Sequence, residues 1–108
     1  MFQNALDMNV PMALGSDSYP PLGSHVGATA REARFWVDWG CSPMKAIEHA
    51  TRESAIALDR SEEVGTLESG KYGDLLVVGG LPHENIDSLR PDNMSIIIKG
   101  GVVVKRRD

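Results

Sequence analysis

The residues best placed to do chemistry lie in Gly15-Ser16-Asp17-Ser18, which directly follows the apolar run Val10-Pro11-Met12-Ala13-Leu14. An apolar run of this length bounded by turn residues predicts a strand buried on both faces, with Pro11 tolerated near its start. Asp17 then stands at the carboxyl tip of that strand, and Gly15 allows close backbone approach. A carboxylate there stands where parallel α/β folds build their active sites, at the carboxyl ends of their strands. The same Asp also suits a turn or a helix cap. Ser16 and Ser18 can steady the carboxylate or simply form the turn, and His25 lies in a loop rich in Pro, Gly and Ser, where an imidazole can bond the backbone.

The other reactive side chains make weaker cases. His49 falls inside an expected helix and His83 in the loop Leu81-Pro82-His83, and the three histidines form no short His-x-His or His-x3-His pair of the kind an independent metal site needs. Cys41 precedes an expected helix start, where a small packed residue is the simpler role. Gly65-Thr66-Leu67-Glu68-Ser69-Gly70-Lys71 has spaced glycines and a lysine, yet Tyr72 and Gly73 follow instead of Ser or Thr opening a helix, so a phosphate loop is excluded.

The elements that must hold these residues follow from punctuation. Phe2, Ala5, Leu6 and Met8 predict a short helix over 2–8 that stops at Asn9. Residues 19–27 are loop, and a second helix runs over 28–39 with Ala33, Trp36, Val37 and Trp39 inward. Gly40 closes it, and Ser42-Pro43 opens the next helix with an N-cap hydroxyl and a first-position proline. Met44, Ile47 and Ala50 form its inner face, and Thr51 is expected to cap a further helix carrying Ala55, Ile56 and Leu58. After Gly65 the pattern turns to strands at 75–78 and 96–98, and Gly100-Gly101 joins the last apolar run to Val102-Val103-Val104 as a hairpin. The chain thus divides into a helical region, 1–64, and a strand-rich region, 65–108.

Composition narrows the function classes. The 108 residues suffice for one domain, and 42% hydrophobic with 24% charged residues is the balance of a folded chain. A net charge of -4 argues against a nucleic-acid or anionic-lipid footprint, since the basic cluster Lys105-Arg106-Arg107 is short and terminal. One cysteine excludes an intrachain disulfide, and with no leader-like or membrane-spanning stretch the expected setting is cytoplasmic.

Taken in order, VPMALGSDS, His25, GCSPMKAIEHATRESAIAL, VGTLESGKYGDLLVVGGLPHENI and IIIKGGVVVKRR resemble the carboxyl-terminal part of the metal-dependent amidohydrolases, nearest the imidazolonepropionase-like and prolidase-like branch. The resemblance implies an α/β fold: the last strand and following helices of a (β/α)8 barrel, plus C-terminal strands of a small β-sandwich. A whole barrel takes about 250 residues, so the family's His-x-His pair, bridging group and later metal histidines are expected upstream of Met1. By the same resemblance Asp17 is both metal-side and catalytic, moving a proton from the activated water to the leaving nitrogen, while His25 and Ser18 contact substrate.

The implied cofactor is a divalent metal, with zinc ahead of manganese or iron, and these residues alone are not expected to retain it. The implied activity is hydrolysis of a carbon–nitrogen bond in a small-molecule amide, cyclic or dipeptide-like. Whether the chain is an enzyme by itself stays open, the alternative being a non-catalytic remnant that serves as an oligomeric or interaction module. Expected partners are a second copy or the missing barrel part, with neither nucleic acid nor membrane.

Overall fold

The computed structural model describes residues 1–15 and 28–107. Helix α1, Phe2–Asp7, ends where expected: Asn9 takes a left-handed φ of 54°, a conformation Asn tolerates better than most residues. The Val10 N–H then donates back to Ala5 O at 3.0 Å, which closes the turn. Phe2 and Leu6 pack on the core, with the Phe2 ring edge-on to Trp36 at 4.9 Å.

Helix α2, Ala28–Asp38, buries Ala33 and Trp36 and half-buries Val37. Trp39 was expected among the inward residues and is instead 51% exposed. It lies just past the last helical residue, so the helical period no longer aims it inward, and its ring stacks on exposed Phe35 at 5.9 Å. Gly40 follows with φ 109°, and the Cys41 N–H reaches back to Trp36 O at 3.0 Å in a left-handed C-terminal cap.

Helix α3, Pro43–Glu48, starts as Ser42-Pro43 predicts, with the Ser42 Oγ accepting the Lys45 N–H at 3.2 Å. Its innermost residue is Ala46, beside half-buried Ile47 and Ala50, whereas Met44 faces out. Thr51 caps nothing: its hydroxyl donates to Ile47 O at 2.8 Å. The chain runs instead through a π-helical turn, His49–Glu53, into helix α4, Ser54–Ala57, where Ala55 is buried and Ile56 exposed. A break was expected because Thr51 could cap a further helix, yet the inward residues Ala50 and Ala55 are five apart, which no regular α-helix accommodates on one face. The π turn absorbs the extra residue without a break.

Val10 to Leu14, expected as a strand buried on both faces, is extended but belongs to no ladder among the described residues. A strand needs a neighbour's backbone groups, and here helix side chains occupy that place. Burial alternates along the segment: Met12 and Leu14 pack inward, and Pro11 and Ala13 face out.

Beyond α4 the chain crosses back over the helix. Gly65, at φ 102°, sits so close that a Cβ on it would lie 2.6 Å from the Ala55 Cβ. The strands form an antiparallel meander of β1 (Leu75–Val78), β2 (Met94–Lys99) and β3 (Val102–Arg106). Gly100 and Gly101, both with positive φ, make the two-residue hairpin turn that pairs Lys99 with Val102. Bulges interrupt the register between Val77 and Val78 and between Ile97 and Ile98. A 3-10 turn, Ile86–Ser88, ties this part to the helices: Ile86 is 3% exposed in the cluster of Leu14, Ala33, Trp36, Cys41 and Ala46, and Asp87 pairs with Arg34 at 2.7 Å.

Candidate active site

Asp17, Ser18 and His25, together with Ser16, lie outside the described residues. The structure does describe the root from which they depart. Leu14, 9% exposed, is wedged in the core, and the main chain beside it is held by two side chains from the helix. His49 Nδ1 lies 2.8 Å from Met12 O, and since a carbonyl oxygen only accepts, Nδ1 carries the proton. The Leu14 N–H donates to Ser54 Oγ at 3.1 Å, and that hydroxyl donates to His49 O at 2.5 Å. The His49 ring also packs on Trp36, 5.1 Å between centroids. Sequence reasoning treated His49 as structural or surface and passed over Ser54; the one available signal was the five-residue step between Ala50 and Ala55.

The remaining candidates are accounted for. Burial pushes the Cys41 thiol above its usual range, with nearby Lys45 opposing the shift and Glu48 adding to it, so this cysteine stays protonated and unreactive near neutral pH. Lys71, which a phosphate loop would need free, is spent inside its own turn: its ammonium bonds Thr66 Oγ1 at 2.7 Å and Glu68 Oε2 at 2.9 Å. The Thr66 hydroxyl bond, followed by Lys71, holds the Glu68 carboxyl below its ordinary range. His83 is exposed beside Glu84. A cleft of ≈ 370 Å³ opens beside Val10 and Pro11, at the entrance of the extended segment and away from its Gly15 end. Its charges are already matched, since Glu48 pairs with Lys45 and Arg52 and Glu53 with Arg52.

Among the described residues no three His, Cys, Asp or Glu side chains converge as a metal-binding group. No described helix is long and apolar enough to cross a membrane.

The sequence profile of the amidohydrolase family matches residues 1–104. The chain belongs to the amidohydrolase family. Members of this family generally use a divalent metal ion. The imidazolonepropionase of Haloarcula marismortui is 33% identical over 99 residues, which is 91% of this chain and 23% of that protein. Among solved structures, a Xaa-Pro dipeptidase with methionine bound in its active site superposes with a TM-score of 0.83 at 35% identity, covering 96% of this chain and 24% of that one. The ochratoxinase of A. niger gives a TM-score of 0.83 at 30% identity over 97% of this chain and 24% of its own. The fold is accordingly an α/β fold shared with the amidohydrolases, represented among the described residues by helices and a three-stranded sheet. The chain spans about a quarter of the length of the relatives it matches.

Proposed function

We propose that the chain forms the C-terminal part of a metal-dependent amidohydrolase acting on a cyclic amide or a dipeptide-like substrate. The observation that carries this reading is the superposition of nearly the whole chain on one quarter of a Xaa-Pro dipeptidase at 35% identity. In this reading residues 1–64 contribute the last strand and helices of a (β/α)8 barrel, and residues 65–108 contribute strands of the adjoining β-sandwich. The extended run Val10–Leu14 gains its ladder partners when the barrel is complete.

Asp17 is the residue to which this reading gives the chemistry. A divalent cation, zinc first and manganese or iron otherwise, would when bound there lower the pKa of a water toward neutrality. The Asp17 carboxylate contributes one oxygen donor and takes the proton of the attacking water. The carbon–oxygen bond forms as the water loses that proton, and Asp17 then hands it to the nitrogen as the carbon–nitrogen bond breaks. Ser18 and His25 contact the substrate. Since a catalytic metal needs about three protein ligands, the others come from barrel residues outside this sequence. Association with those residues, or with a second copy, also covers the open edges of β1 and β3 and the exposed Phe35 and Trp39 rings. The single unpaired Cys41 suits the cytoplasm.

The alternative is a non-catalytic interaction module, since one metal-side residue cannot build a metal site. Isolation of the chain with whatever it assembles with, followed by metal analysis and hydrolysis assays on cyclic amides and Xaa-Pro dipeptides, separates the two. Stoichiometric divalent metal and turnover support the enzyme; an assembly with neither supports the module.

A further inference from the structure

We draw no further inference here: the strongest candidate, the surface patch of exposed Val102, Val103 and Val104 along the edge strand β3, carries nothing, since the proposed function already gives that edge to barrel residues outside this sequence or to a second copy and nothing in the structure shows what covers it.

Discussion

The backbone N–H of Leu14 donates to the hydroxyl of Ser54, 40 residues further along the chain and 3.1 Å away. This bond fastens the extended segment to the helix at the point where the chain leaves toward Asp17. Removing the hydroxyl leaves a part-buried N–H unpaired, so Ser54→Ala is expected to cost about 1–3 kcal/mol. Urea titration of both proteins measures this, and identical midpoints would show that solvent replaces the hydroxyl at no cost.

Gly65 is expected to tolerate no side chain. Its φ of 102° is one that L residues rarely adopt, and an added Cβ would meet the Ala55 Cβ at 2.6 Å. Strain and overpacking together make Gly65→Ala destabilising by about 2 kcal/mol or more. Gly70→Ala, which meets nothing within 4 Å at a similar φ of 93°, isolates the backbone part and should cost less. Thermal unfolding of the two variants provides the comparison; equal losses would mean that the Ala55 contact relaxes freely.

Ser42 and Pro43 make a matched pair at the start of α3. Ser42→Ala removes the acceptor of the Lys45 N–H and is expected to cost about 1 kcal/mol. Pro43→Ala is nearly neutral, because a first-turn N–H has no helical partner in either protein. Denaturant titration in which both substitutions are neutral would place the helix start elsewhere.

Local backbone rules made these features legible. Gly40, Ser42-Pro43 and the Gly100-Gly101 hairpin follow from what each residue type allows its own φ and ψ to do. The π turn does not, because what stabilises it is a bond from Ser54 to a segment 40 residues earlier. Thr51, as a candidate cap, therefore suggested a break where the helix merely widens. Trp39 faces out because the helix stops one residue short of it, and the bulges in β2 and its partners arise from pairing that single-strand patterns do not encode. For the site, Asp17 was legible as a carboxylate after an apolar run, and the resemblance raised it to a catalytic assignment. The bonds from His49 to Met12 and from Ser54 to Leu14 were not legible, since neither spacing nor residue type marks a side chain that bonds distant backbone.

Cys41 ties burial to pH. Its thiol pKa is raised in the folded chain, so the folded state holds its proton more tightly than the unfolded state does. The corresponding stability is fully present below the ordinary thiol pKa of about 8.5 and is lost as the pH rises through the higher folded value. Unfolding free energy should therefore fall on the alkaline side more for the parent than for Cys41→Ala. A thiol reagent at neutral pH should label the native chain far more slowly than the urea-unfolded chain; equal rates would contradict the buried placement.

Asp17 bears the central claim, and turnover with metal content in Asp17→Asn tests it most directly. The measurement is made on the active amidohydrolase assembly that contains this chain. The account expects metal largely retained, because most ligands come from other residues, with turnover reduced by about 10²–10⁴-fold through loss of the proton carrier. Near-normal turnover with metal bound would contradict it.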